Sequence, residues 1–277
     1  MSVTLQVINP NFVAEGRAGP LREISDPDAF REFVEILAQF PVLVFRDQPF
    51  TDDEQIKFAE RLSGRSGHVF FSRMTNLDDD KRTLKADDFR RVYYLSTRLW
   101  HTDGSCSSTP SRFSMLSAKM LPGKGGETEF ADMRGAYDSL SEDMKIELNS
   151  MCAEHSRAYS RHLIGAENVD SPDETIGGVV QPLIYLDRFT GRKSLYLSSN
   201  ATKIIGLPLP DGRLLLRDLI EHATERRFVY RHEWRVNDFV IWDNRVTMHR
   251  ARPYDDESQI RDLRRATTPD HGMGISA

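Results

Sequence analysis

Short runs of β-forming residues, each closed by a turn, recur along this chain and restrict its fold more than any other feature. Val42-Leu43-Val44-Phe45 is a continuous apolar run and reads as a buried strand. Residues 113–118, 127–130, 183–186, 194–197, 228–232 and 238–242 have the same short β-like character. Helical periodicity is confined to a few stretches. Asp26-Pro27 opens a helix with Phe30, Phe33, Val34 and Leu37 on one face, and Pro41 ends it. Thr51-x-x-Glu54 is a capping box ahead of Ile56, Phe58, Ala59 and Leu62. Residues 132–148 read as helix with a break near Ser141, and residues 213–224 as an amphipathic helix. Many short strands with a few helices predict a mainly β chain with α additions, a sandwich or barrel. No repeat or linker divides residues 1–277, so a single domain is expected.

Composition narrows the partners. A chain of 277 residues with net charge -5 has no general attraction for nucleic acid or an anionic membrane. An anionic ligand therefore needs a local basic cluster. Cys106 and Cys152 suggest no disulfide framework, which fits a reducing, cytoplasmic setting. Residues 1–10 lack a basic segment followed by an apolar core, so no signal peptide is expected. No apolar run approaches the roughly 18–20 residues of a membrane span. A homo-oligomer is expected. Residues 165–178 are polar and turn-rich and read as a loop. Residues 64–95 carry bursts of charge (Asp78-Asp79-Asp80-Lys81-Arg82, then Arg90-Arg91) and read as a surface loop. Its place just before His101 makes it a candidate active-site lid.

The chemistry concentrates in Leu99-Trp100-His101-Thr102-Asp103-Gly104-Ser105. If this stretch is extended, His101 and Asp103 point the same way and supply two ligands for a divalent metal. His249, in a distant strand-like segment, is a candidate third. Such a lone histidine is more often an ordinary packed residue. With the other two it makes a 2-His-1-carboxylate set, which suits Fe(II) and oxygen chemistry; zinc more often takes a tetrahedral set, and ligand type alone leaves both open. Downstream, Arg261, Leu263 and Arg265 share one face if residues 261–268 form a strand. Two guanidinium forks there could hold a dicarboxylate or two separate acids.

Together, His101-x-Asp103, Gly125-Gly126-x-Thr128, Trp242-Asp243-Asn244-x-x-x-x-His249 and Arg261-x-x-x-Arg265-Ala266-Thr267 resemble a known family. It is the Fe(II)/2-oxoglutarate dioxygenases of the taurine dioxygenase and 2,4-dichlorophenoxyacetate dioxygenase group. The likeness runs from about Val42 to Thr268 and is greatest to the phenoxyacetate branch at residues 113–118, 125–140 and 221–249. The resemblance implies a double-stranded β-helix (jelly roll) flanked by helices. It implies Fe(II) on His101, Asp103 and His249, with the distal carboxylate of 2-oxoglutarate on Arg261 and Thr128. Arg265 would lie near the 1-carboxylate and a small anionic organic-acid substrate. O2 and 2-oxoglutarate would be consumed, succinate and CO2 released, and the acid hydroxylated. An aryloxyacetate would then split to a phenol and glyoxylate. His68, Thr97 and Arg98 are candidate substrate contacts, although Thr97 and Arg98 stand where the phenoxyacetate branch carries amides. The competing readings are the same chemistry on a sulfonate or alkyl sulfate, a zinc-dependent hydrolase, and a non-catalytic jelly-roll binding protein.

Overall fold

In the computed structural model, which describes residues 3–24, 26–64, 67–85, 88–166, 178–188 and 190–270, the β runs form four sheets among the described residues, and a large and a small one of these share one core layer. In chain order the strands are β1 (Thr4–Asn9), β2 (Val13–Arg17), β3 (Val42–Phe45), β4 (Phe70–Thr75), β5 (Ser111–Met120), β6 (Thr128–Asp132), β7 (Cys152–His155), β8 (Val179–Pro182), β9 (Ile184–Leu186), β10 (Lys193–Leu195), β11 (Ala201–Ile204), β12 (Val229–His232), β13 (Phe239–Asp243), β14 (Thr247–Ala251) and β15 (Asp262–Pro269). The helices are α1 (Pro27–Gln39), α2 (Asp52–Ser63), α3 (Phe89–Leu95), α4 (Met133–Asp138), α5 (Glu142–Leu148), α6 (Arg157–His162) and α7 (Leu209–Ala223). The large sheet runs β1-β2-β3-β13-β5-β15-β4, and the small one β12-β6-β14. Of their neighbouring pairs, β2–β3 is parallel and the rest antiparallel.

Side-chain alternation builds the layers. On β13, Phe239 and Ile241 face α1 and α2, packing with Phe33, Leu37 and Phe58. Their neighbours Val240 and Trp242 face the other way, against Phe130 and Tyr230 of the small sheet. Beyond the small sheet, α4 and α7 bury Met133, Ala136, Leu216 and Leu219 against Ala131 and Met248. Each large apolar side chain removed from water in these layers contributes about 1.5–3 kcal/mol. Helix ends follow the sequence signals: Thr51 Oγ1 accepts from Glu54 N at 3.2 Å, and Glu54 returns the bond to Thr51 N at 2.7 Å.

Several sequence boundaries move. Helix α7 begins at Leu209, directly after Pro208, rather than at Arg213. Ser141 caps α5, so the expected break near it separates α4 from α5. The reading of residues 64–95 as one loop is corrected. It holds β4, which pairs with β15, and α3, which Asp88 caps by accepting from Arg90 N. Its polar, charged composition hid an edge strand because no residue of β4 is fully buried. Most of the expected loop at 165–178 lies outside the described residues.

Candidate metal centre

His249 lies on β14 opposite Phe130 of β6. Its neighbour Met248 packs outward under α4 and α7, so alternation turns His249 into the space between the sheets. There the backbone docks the segment carrying His101. His101 N donates to His249 O at 3.0 Å, and His249 N donates to His101 O at 2.9 Å. The chain then turns, with Gly104 at φ +68°; a Cβ there would come within 2.3 Å of Ser111 Oγ. Asp103 opens this turn beside the two histidines. Asp103 Oδ1 stands 3.9 Å from His101 Nε2, and Oδ2 stands 3.7 Å from His249 Nε2. One donor atom from each residue falls within a 4.8 Å set.

The protonation states suit a cation. His101 Nδ1 lies 2.8 Å from Leu99 O; a carbonyl only accepts, so Nδ1 carries the proton and Nε2 the lone pair. Burial pushes both imidazoles down, His249 to about 3, so both are neutral at pH 7. Burial works to raise the Asp103 carboxyl, but Arg265, whose Nη1 donates to Oδ1 at 3.2 Å, and the two histidines hold it well below the usual carboxylate range. The Nε2 lone pair of His101, the neutral His249 ring and a carboxylate thus converge, an arrangement that a divalent cation fits.

A further buried imidazole, His155, is pushed to about 4 by burial. An unfolded histidine titrates near 6.5. Below that pH the unfolded chain binds protons that the folded chain does not, so stability declines as pH falls. At pH 5 the loss is about 2 kcal/mol per buried imidazole. The metal-free protein is expected to melt at a lower temperature at pH 5 than at pH 7. An equal Tm would show that these rings take up protons in the folded state.

Asp103 is oriented by a closed set of hydrogen bonds. Ser114 Oγ donates to Asp103 Oδ2 at 2.8 Å, and Asn244 Nδ2 donates to Ser114 Oγ at 2.9 Å. Asn244 Oδ1 in turn accepts from Asp103 N at 3.3 Å and Trp242 Nε1 at 3.0 Å. Ser114→Ala is expected to weaken Fe(II) or Mn(II) binding about 10–100-fold, the usual effect of losing a bond that orients a ligand. Metal titration by calorimetry checks this, and an unaltered Kd refutes it.

A second pocket lies beside the metal cavity. Arg261 precedes β15 and is 9% exposed. Its Nε donates to Gly126 O at 2.9 Å, and its Nη2 reaches Thr128 Oγ1 at 3.5 Å. Gly126 has φ +75°, and a Cβ there would meet Arg261 Cδ at 3.1 Å. Burial pushes the guanidinium down to about 10, and among the described residues no carboxylate forms an ion pair with it. A buried cation without a paired anion is a receptor for one. Trp234 Nε1 donates to Thr128 Oγ1 at 3.0 Å. With its oxygen accepting from Trp234 and Arg261, the Thr128 hydroxyl has its own proton left to donate to a ligand. Asn76 fixes Arg261 from behind: its Oδ1 accepts from Arg261 N at 2.9 Å, and its Nδ2 donates to Asp256 O and Gln259 O at 2.9 and 2.8 Å.

The remaining candidates divide. Arg265 and Thr97 line the metal cavity, which has a volume of about 250 Å³. Thr97 also lines the Arg261 pocket, and its Oγ1 donates to Tyr94 O at 2.7 Å. Arg98 lines that second pocket rather than the metal cavity, and stands 3.7 Å from Asp256. His68 is exposed and outside both linings; it precedes β4 at the sheet edge, and the structure does not bring it to the site. Sequence reasoning missed Ser114, Asn76 and Trp234. None carries a short-range signal: Asn76 and Trp234 act on residues 185 and 106 positions away, and Ser114 on one 11 positions away. Asn244 stood inside a quoted motif, where its place between Trp242 and His249 could have singled it out.

Residues 5–267 match the family described as "Taurine catabolism dioxygenase TauD, TfdA family". The chain is 39% identical to the alpha-ketoglutarate-dependent 2,4-dichlorophenoxyacetate dioxygenase of Burkholderia sp. (strain RASC), over 97% of this chain and 95% of that one. It is 34% identical to the (S)-phenoxypropionate/alpha-ketoglutarate-dioxygenase of Sphingobium herbicidovorans, over 78% of each. Among solved structures it is similar to AAD-2 in complex with Mn(II) and N-oxalylglycine, with TM-score 0.92, 41% identity and 98% of each chain covered. The match spans nearly the whole chain, and this chain belongs to the TauD/TfdA dioxygenase family.

Proposed function

We propose that the protein is an Fe(II)- and 2-oxoglutarate-dependent oxygenase that hydroxylates a small organic acid, an aryloxyalkanoate resembling 2,4-dichlorophenoxyacetate. The observation that carries the reading is Arg261. It is a buried guanidinium with no carboxylate partner among the described residues, set beside a free hydroxyl donor, in a pocket that shares Met74 and Thr97 with the lining of the metal cavity. A dicarboxylate whose other end chelates the metal satisfies both sites at once.

Each side chain then has a task. His101, Asp103 and His249 would hold Fe(II) on one face and leave the other open for a 2-oxo acid and O2. Bound there, Fe(II) supplies O2-dependent decarboxylation of 2-oxoglutarate to succinate and CO2, coupled to hydroxylation of the organic acid. Arg261 binds the distal carboxylate by charge-assisted hydrogen bonds, and Thr128 adds a neutral donor. Arg265 keeps Asp103 ionised, and its Nε, buried without a partner, is left to bind the acid group of the substrate. Hydroxylation beside an ether oxygen gives a hemiacetal that collapses to a phenol and glyoxylate. Asp103 is the one acidic residue among the described lining of the cavity. A hydrolase would need a second carboxylate as general base, which disfavours the zinc reading.

The facing sheets are read as a double-stranded β-helix in one domain. Residues 64–95, with β4 and α3 within them, serve as the lid, because Phe70, Met74 and Tyr93 line the cavity. A homo-oligomer in the cytoplasm accords with two free cysteines; no helix of the described residues is long and apolar enough to cross a membrane.

Anaerobic addition of Fe(II) and then 2-oxoglutarate is expected to give the weak visible band of the chelate. Admitting air with an aryloxyacetate is expected to release succinate and phenol. No band and no succinate with any acid overturn the reading. Succinate with alkyl sulfates or sulfonates alone replaces the substrate class.

Trp234→Phe keeps the ring and removes the donor to Thr128. It is expected to raise KM for 2-oxoglutarate about 3–10-fold, the size of one hydrogen bond. In a Thr128→Val background the same change should have no further effect; an additive rise would show that Trp234 does not act through Thr128.

A further inference from the structure

Three aromatic side chains at the mouth of the metal cavity are more exposed than their chemistry favours. Phe70, at the start of β4, is 61% exposed; Phe89, at the start of α3, is 60% exposed; Tyr93, one turn later, is 38% exposed. Phe89 and Tyr93 are four residues apart on α3 and so share a face. With Phe70, Met74 and Arg265 they line a hollow of about 140 Å³. Phe70, Met74, Tyr93 and Arg265 also line the metal cavity, so the two spaces share these walls. Arg265 is the hinge between them. Its Nη1 reaches Asp103 at 3.2 Å, and its guanidinium carbon lies 5.8 Å from the centre of the Phe70 ring.

Clustered exposed aromatics mark a surface that something covers. Here the covering group must be apolar, must reach the metal cavity, and must carry an anion for Arg265. Another part of the cavity wall, including Ser160, Arg161, Ser199 and Asn200, is polar and offers a ring no comparable bed. Aromatic side chains also reward a flat ring, through offset or edge contacts, more than a flexible alkyl chain that loses rotamer freedom on binding. We propose that Phe70, Phe89 and Tyr93 form an aryl-binding subsite, which holds the ring of an aryloxy acid while its carboxylate sits on Arg265. This rests on the oxygenase reading above and makes β4 and α3 the elements that select aryl over alkyl acids. It assigns Phe70, Phe89 and Tyr93 as specificity-determining residues.

The test uses the full chain with Fe(II) and 2-oxoglutarate and compares 2,4-dichlorophenoxyacetate with butoxyacetate, which has the same head and no ring. Phe89→Ala and Phe70→Ala remove exposed rings, and Tm measurements verify that each variant is folded. Each is expected to lower the aryl-to-butoxy ratio of kcat/KM about tenfold, with KM for 2-oxoglutarate unaltered, and Phe89→Tyr to restore the ratio. An unaltered ratio in both variants overturns the subsite, as does an equal loss for both acids. Saturation transfer from the protein to the ring protons of 2,4-dichlorophenoxyacetate gives a readout that needs no turnover. Transfer in the wild type that is lost in both variants supports the subsite even if no acid yields succinate, in which case the oxygenase reading alone fails. Transfer retained in both variants, or absent in the wild type, overturns the subsite.

Discussion

Asp103→Ala is expected to lower turnover about 10³-fold or more, the loss of about 4 kcal/mol of transition-state stabilisation. The carboxylate is the one anionic member of the donor set, and both of its oxygens face histidine nitrogens. Without it, two neutral imidazoles remain beside Arg265, whose charge then repels a cation where it previously fixed a ligand. Metal affinity should fall with activity. The fold should persist, because the sheets are held by apolar layers in which Asp103 takes no part. Melting and metal titration of one sample check both halves. A variant that binds Fe(II) as the wild type does, and turns over at its rate, would move the metal site elsewhere.

Arg261→Ala should act on the other substrate. Truncating one member of a buried charge pair costs about 2–5 kcal/mol. KM for 2-oxoglutarate is therefore expected to rise about 10²-fold or more, with KM for the organic acid little altered. Arg261→Lys keeps the charge but loses the fork that spans Gly126 O and Thr128 Oγ1, so it should recover part of the affinity. Burial already pushes the Arg261 guanidinium down to about 10, a sign that the pocket stabilises the cation poorly without an anion. Added 2-oxoglutarate should accordingly raise the Tm of the metal-loaded wild type and not that of Arg261→Ala. Equal stabilisation of both proteins would refute the assignment.

Residues 64–95 mark the limit of local reasoning. Charge bursts in residues 64–95 read as loop, yet β4 is drawn into the large sheet by pairing with β15. An edge strand need not look apolar, since one of its sides meets water. His68 seemed a candidate from the same stretch and stands exposed outside the site, whereas Phe70 and Phe89, which carried no motif, lie at its mouth. Arg98 adjoins Thr97 in sequence, but the turn that follows α3 sends it to the Arg261 pocket rather than to the metal.

What the sequence determined alone is what depends on near neighbours: capped helices, alternating strands, and the residue types of the ligand and anion-binding motifs. Hydrogen bonds within a few residues and side-chain periodicity are enough to set these. The tertiary structure decided which of those groups meet. His101 reaches His249 through a two-bond backbone bridge, Ser114 and Asn244 aim Asp103, Trp234 leaves the Thr128 proton free, and Asn76 seats Arg261. All of those contacts except the Ser114–Asp103 bond join segments far apart in the chain. Strand pairing brings these segments together, β4 with β15, β6 with β12 and β5 with β13, so no local pattern could announce them.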